Sequence, residues 1–266
     1  MLSFLLGISF MKNVVNLYKP VGYTPLQVIE AYRLSCVQYK DTSLGYAGRL
    51  DPMAEGVLLV LVGEVNKARI KYERLPKEYE FEVLFGVRTD TYDVMGRIEE
   101  AKEGEVPTHE VKNVASEFEG EWSQKYPPYS SARVAGKPLY FWAREGKISE
   151  VEIPKKKVRV ERIVMEGVRE VEGREIASDS IARVEKVKGK FRQKEIISDW
   201  CDFEKKYSTK QFSVVKFRIE CSSGVYVRGI ADAIGRKLGF PSLAYKIKRT
   251  KVGEHDLLYS LKLGSI

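Results

Sequence analysis

The stretch Val57 to Val62 constrains the fold most: it is a continuous apolar run, Val-Leu-Leu-Val-Leu-Val, with no polar position inside it. Its length suits a strand, and the absence of alternation means that both faces of that strand are buried. Such a strand must sit inside a sheet that other elements cover on each side. Tyr79, Phe81, Val83 and Phe85, by contrast, alternate with Glu78, Glu80 and Glu82, the period-two pattern of a half-buried strand. Val14 to Leu17, Val158 to Val171 and Val214 to Cys221 also have strand character.

Helical segments lie between these strands. Thr24-Pro25 reads as an N-cap followed by proline at the first helical position, with Leu26, Ile29 and Tyr32 on one face behind it. Glu64 to Arg74 is expected as a charged helix, and Thr108 as the cap of a helix carrying Val111, Val114 and Phe118. Pro138 to Glu145 is a short helix closed by Gly146, and Ser222-Ser223-Gly224 turns the chain toward Tyr226, Arg228 and a helix bearing Ile230, Ile234 and Leu238. Arg88 to Arg97 reads as a polar loop. Residues 172–211 are charge-rich with weak periodicity and read as an insertion. Strands and helices mix without a strict βαβ rhythm, so the fold class is α+β.

Composition narrows the chemistry. The chain has only two histidines, His109 and His255, which excludes the common zinc spacings and disfavours a histidine-based triad. Its three cysteines, Cys36, Cys201 and Cys221, share no metal-like spacing and read as reduced thiols of a cytoplasmic protein. Acid–base work therefore falls to carboxylates, tyrosines, lysines or arginines. The formal net charge of +8 suits a polyanionic partner such as nucleic acid, although many basic proteins bind nothing anionic. Met1 to Phe10 is apolar but too short to span a bilayer and lacks the basic start of a signal peptide. Residues 1–13 read as a loose N-terminal extension and 14–266 as the functional domain.

Asp51 is the carboxylate of most interest. Taken alone, Asp51-Pro52 reads as an ordinary turn or N-cap pair. Its surroundings add a second reading, because Gly45 and Gly48 permit close approach of a ligand and Arg49 beside it suits phosphate contact. The stretch Gly45-Tyr46-Ala47-Gly48-Arg49-Leu50-Asp51-Pro52-Met53-Ala54-Glu55-Gly56-Val57-Leu58 resembles the catalytic motif of TruB-type tRNA pseudouridine synthases. Further blocks follow in the family's order: Lys19 to Thr24, Lys77-Glu78-Tyr79 with Leu84-Phe85-Gly86, Thr89 to Gly96, Pro127 to Ala132 with Leu139-Tyr140 and Ala143 to Gly146, and Gly224-Val225-Tyr226-Val227-Arg228. The resemblance covers about residues 14 to 256 apart from the insertion.

The resemblance implies a pseudouridine synthase fold, with a mixed, largely antiparallel sheet, flanking helices and a catalytic cleft. It implies Asp51 as catalytic carboxylate, Arg228 as its positive partner through a bidentate fork, and Tyr79 as a ring that stacks on the target base. Lys19, Tyr46, Arg49, Arg133, Arg144, Lys248 and Arg249 are the implied RNA contacts, with Tyr46 as a wedge. The implied partner is the T-arm stem–loop of tRNA, with no cofactor, no metal, no membrane and no obligatory protein partner, for a cytoplasmic monomer. Asp90 and Asp93 are expected to make turn hydrogen bonds. Two positions depart from the family: Tyr46 stands where histidine is usual, and Arg49 where threonine is usual. These bear on which uridine is the substrate. The C-terminal RNA-binding (PUA) domain of many members is not expected here, because the chain stops soon after Gly253.

Overall fold

The computed structural model describes residues 13–264. All but Asn13 of the extension expected over residues 1–13 lies outside the described residues. In chain order the elements are β1 (Val14–Lys19), α1 (Pro25–Ser35), β2 (Leu44–Ala47), β3 (Glu55–Val62), α2 (Arg69–Glu73), β4 (Lys77–Phe85), β5 (Val87–Thr89), β6 (Ile98–Ala101), α3 (Thr108–Ser116), β7 (Gly120–Lys125), β8 (Arg133–Val134), β9 (Lys137–Pro138), α4 (Leu139–Arg144), β10 (Lys155–Glu172), α5 (Gly173–Glu185), α6 (Gln193–Tyr207), β11 (Gln211–Cys221), α7 (Val227–Leu238), β12 (Ser242–Val252) and β13 (His255–Asp256). One sheet runs β1-β3-β12-β4-β11-β10-β7, with β2 added to β3 and β13 to β12. Its pairings are antiparallel except that of β3 with β12, so the fold is α+β with a mixed, mainly antiparallel sheet.

The apolar run of β3 is buried on both faces. Leu58, Val60 and Val62 pack against Val15, Leu17, Val28, Ile29 and Tyr32 of β1 and α1. Val57, Leu59 and Leu61 turn the other way and meet Ala47 and Val252. Each such side chain contributes about 1.5–3 kcal/mol when removed from water, which makes this strand an anchor for the sheet. Helix α1 starts as expected: the Gln27 N–H donates to Thr24 Oγ1 at 3.3 Å, and the Thr24 N–H donates to Gln27 Oε1 at 2.8 Å. Leu26 does not join the buried face. It is 60% exposed, and Val28 occupies the core instead.

Tyr79, Phe81, Val83 and Phe85 of β4 face the main core, where Phe81 stacks on Phe217 at 5.3 Å between ring centres. Helices α3, α5, α6 and α7 cover this face with Val111, Ile176, Trp200, Ile230 and Ile234. The opposite face carries charge: Glu78, Glu80 and Glu82 pair with Arg218, Lys216 and Arg169. The glutamates that alternate along β4 thus face solvent in an ion lattice of individually weak pairs.

Four segments add to or differ from the sequence expectation, the first being Glu64 to Arg74, where a 3-10 helix over Gly63–Ala68 precedes the short α2 in place of one charged helix. Residues 172–211, given no elements from sequence, form α5 and α6, joined to the same core through Ile176, Ala177, Val184, Ile196, Trp200, Phe203 and Tyr207, which is compatible with the insertion reading. The apolar stripe is narrow, so abundant surface charge masked its period. The loop after β4 is polar yet inward-facing: Thr89, Thr91, Asp93, Val94 and Met95 are all buried, with the polar groups satisfied internally. The N-cap of α3 is Pro107, and Thr108 is the first helical residue rather than the cap. Among the described residues, no helix is long and apolar enough to cross a membrane.

Candidate active site

Asp51 sits in the loop that links β2 to β3, and three inward-facing cations grip the backbone of that region. Lys19 Nζ donates to the carbonyls of Pro20, Tyr23 and Pro52 at 3.0, 2.7 and 3.4 Å. Arg249 donates through Nε to Val57 O at 2.8 Å and through Nη2 to Gly48 O at 2.9 Å. Arg183 of α5 donates through Nη2 to Met53 O at 3.3 Å and through Nη1 to Tyr245 O. Leu50, Met53 and Ala54 insert into the core on either side of Asp51. The loop is therefore held at its carbonyls and by its apolar neighbours, which leaves the Asp51 side chain 32% exposed toward the cleft.

Lys19 and Arg249 were expected to touch RNA, and their placement corrects that reading. Lys19 is 0% and Arg249 1% exposed, and both spend their donors on carbonyls of this region, although Arg249 also borders the cleft. Burial lowers the Lys19 ammonium to about 7. Period-two parity marks both positions: Val15, Leu17 and Lys19 face one way along β1, as do Ile247 and Arg249 along β12. The glycines beside Asp51 are also explained from within. An added Cβ at Gly45 would meet the Asn66 side-chain amide at 2.0 Å, and Gly48 holds a φ of +75° that side-chain-bearing residues rarely adopt.

Arg228, the second residue of α7, reaches the Asp51 carboxylate with Nε 2.9 Å from Oδ2. The expected bidentate fork is absent. Nη1 donates instead to Thr91 O at 2.7 Å and Nη2 to Tyr129 O at 2.9 Å, so a single guanidinium edge faces Asp51. Asp93 Oδ2 lies 3.9 Å from the same Nε, and burial raises the Asp93 carboxyl to about 6 despite the opposing pull of Arg228. Asp93 accepts from Thr91 Oγ1 at 2.7 Å and from Met95 N at 2.9 Å, the turn bonding anticipated for this loop. The start of α7 is fixed by Gln124, whose amide exchanges two 2.9 Å hydrogen bonds with the Tyr226 backbone.

These groups line a cleft of about 850 Å³. Asp51, Tyr79, Arg228, Tyr46, Arg49 and Arg144 all border it, so most of the expected site residues converge. Tyr79 is 8% exposed, and burial raises its phenol pKa. Tyr46 is a strand residue of β2, with the Arg69 guanidinium 5.2 Å from its ring centre. Arg133 and Lys248 lie apart from the cleft lining: Arg133 is exposed on the β8–β9 hairpin and donates to Gly136 O at 2.8 Å, and Lys248 lies 3.8 Å from Glu55. Of Arg183, Arg192 and Tyr129, only Tyr129 lies in a motif block, Pro127 to Ala132. Arg183 and Arg192 fall in the charge-rich stretch, and Tyr129 acts through its backbone carbonyl, which no side-chain pattern reports.

Comparison with known proteins places this geometry. A chain in a crystal structure of a Cbf5-Nop10-Gar1 complex superposes with a TM-score of 0.56 at 20% identity, covering 94% of this chain and 52% of that one. A chain in a structure of an H/ACA RNP bound to a substrate RNA containing 2′-deoxyuridine gives 0.55 at 18% identity, covering 94% of this chain and 51% of that one. The architecture is thus the pseudouridine synthase fold. The model of the TruB family pseudouridylate synthase N-terminal domain matches residues 37–180. A tRNA pseudouridine synthase B from Aquifex aeolicus is 31% identical over 92% of this chain and 69% of its own length. Another, from Caldanaerobacter subterraneus, is 33% identical over 96% and 73%. The chain belongs to the TruB family of pseudouridylate synthases. It spans about half the length of the solved chains it resembles.

Proposed function

We propose that this protein isomerises uridine to pseudouridine in tRNA, at uridine-55 of the T-arm, with Asp51 as the catalytic carboxylate and no cofactor. The observation that carries the reading is the Asp51 carboxylate held 2.9 Å from the buried Arg228 guanidinium in a cleft bordered by Tyr79. The reaction breaks the N1–C1′ bond, turns the uracil and joins C5 to C1′; the C5 proton is lost and N1 takes up a proton, so the product is an isomer of the substrate. Asp51 starts it, either by nucleophilic addition or by assisting glycal formation. Arg228 stabilises the ionised carboxylate while its other nitrogens fix its own position. The Tyr79 ring stacks on the base. Because burial raises its pKa, its hydroxyl stays protonated near neutrality and serves as a hydrogen-bond donor.

A uridine within a folded loop reaches such a carboxylate only by extrusion, at a cost of a few kcal/mol. Tyr46, on the cleft wall, supplies the wedge that fills the vacated space. Arg49 and Arg144 on the cleft, with Arg133 and Lys248 further out, meet the flanking phosphates. The relatives' names support tRNA as substrate. A cytoplasmic monomer is the form in which we expect the protein to act. The test is a pseudouridine map of a tRNA transcript treated with the purified protein, expected to show modification at uridine-55. Tyr46 and Arg49 replace the family's usual residues on the cleft itself, which favours one second reading, another uridine as target. A map with pseudouridine elsewhere would select it, and a map with none would overturn the enzymatic reading.

A further inference from the structure

The turn between α5 and α6 lies beyond the residues matched by the family model, yet it closes one side of the cleft. Phe191 and Arg192 line the cleft directly. Arg192 grips Asp90 with both terminal nitrogens, at 2.7 and 3.2 Å, and its guanidinium lies 4.4 Å from the Tyr129 ring centre. On the other flank, Gln27 Nε2 donates to Lys188 O at 3.3 Å, and a Cβ added at Gly22 would sit 2.6 Å from the Lys186 carbonyl oxygen. Val187 is buried beneath, and the Gln193 side chain donates to the carbonyls of Val187 and Gly189 at 3.0 and 2.7 Å. The turn is thus fastened to both the Thr24 side and the Tyr129 side of the cleft.

What this fastened turn offers to solvent is positive charge. Lys186, Lys188 and Lys190 are exposed, and none forms an ion pair among the described residues, whereas Lys205 at the far end of α6 is paired with Asp202 at 2.8 Å. Three exposed ammonium groups within five residues of one turn, with Lys188 also 5.4 Å from the Tyr23 ring centre, form a cationic surface beside the cleft-lining Phe191 and Arg192 that suits a polyanion. We propose that Lys186, Lys188 and Lys190 form a phosphate-binding jaw that holds the RNA strand next to the target nucleotide. The proposal rests on the reading of the cleft as an RNA-modification site. It adds a contact surface made from this chain's own α5–α6 hairpin.

The experiment measures binding of a tRNA transcript across a salt series, together with kcat and KM, for the full chain and three variants. Replacing Lys186, Lys188 and Lys190 together by glutamine is expected to weaken binding about tenfold at 0.1 M salt, and to reduce the log–log salt slope by about 2. The loss should fall mainly on KM. Replacing the same residues by arginine keeps the charge and should restore affinity to within about twofold. Lys205→Gln with Lys206→Gln, at the far end of the helix, should change nothing. Unchanged affinity and slope in the glutamine variant would overturn the jaw, as would a loss that persists in the arginine variant. If the unaltered protein makes pseudouridine while the glutamine variant binds normally, the jaw fails alone. If the unaltered protein modifies no RNA, the enzymatic reading fails with it.

Discussion

At the scale of single residues, the site is a carboxylate and a guanidinium whose surroundings divide their tasks. On the proposed reading, Asp51→Asn removes the reacting oxygen while leaving shape and the cationic rim intact. Turnover should fall by roughly a thousandfold or more, with tRNA affinity within a few-fold of the original, measured by single-turnover kinetics beside a binding assay. Arg228→Lys keeps one charge but cannot serve Asp51, Thr91 and Tyr129 together. It should reduce kcat at least about a hundredfold. Leaving a buried carbonyl unsatisfied costs about 1–3 kcal/mol, so the melting temperature should drop by several degrees as well. Asp93 yields a pH prediction. Burial raises its carboxyl from 3.8 to about 6, so the folded chain holds that proton more tightly than the unfolded one. The associated stability is present below pH 4 and is lost as pH rises through 4 to 6, by on the order of 3 kcal/mol. Asp93→Asn lacks this titration. Its melting temperature relative to the unaltered protein should therefore rise between pH 4 and pH 7, and a constant difference would place the Asp93 pKa near its ordinary value.

At the scale of elements, much was legible where local pattern and burial agree. The apolar run of β3, the alternation of β4 and the Thr24-Pro25 start of α1 each encode their structure in consecutive residues. The convergence of Asp51, Tyr79 and Arg228 on one cleft was legible because motif blocks carry them. The fates of Lys19 and Arg249 were less plain, because a cation at an inward parity position looks in sequence like any other cation. The α5–α6 hairpin was read as a charged insertion for a similar reason: its exposed charges outnumber the residues that anchor it. The strands it connects end side by side, with Val171 opposite Phe212 and Glu172 opposite Gln211, so a tight turn could replace the hairpin topologically. Energetically it could not. Trp200 is 0% exposed and packs at 5.5 Å from the Phe203 ring, which in turn meets Phe212 at 5.2 Å. Trp200→Ala should cost about 3–5 kcal/mol, seen as a large drop in the denaturant midpoint at unchanged slope. A loss below about 1 kcal/mol would mean that the hairpin is peripheral after all. Point substitutions at its tip are consequently a cleaner probe of its function than deletion.

At the scale of the whole molecule, the net charge of +8 is unevenly spent. On the open face of the sheet the glutamates of β4 neutralise Lys216, Arg218 and Arg169. Around the cleft, Arg49, Arg74, Arg144 and Lys156 share the lining with Glu73, Asp51 and Asp93, of which the two aspartates are engaged by Arg228, while Arg192 is paired with Asp90. The cleft lining thus carries a cationic excess, which on the proposed function would steer a polyanion toward the carboxylate. About five phosphate contacts would give a log–log salt slope near −4, so raising salt from 50 to 200 mM should weaken tRNA binding by on the order of a hundredfold. Asp51→Asn should follow the same slope, because it removes no phosphate contact. Arg49→Ala should make the slope shallower by about 1. If binding hardly responds to salt, the basic rim is not the RNA surface, and affinity must come from base stacking and hydrogen bonds within the cleft.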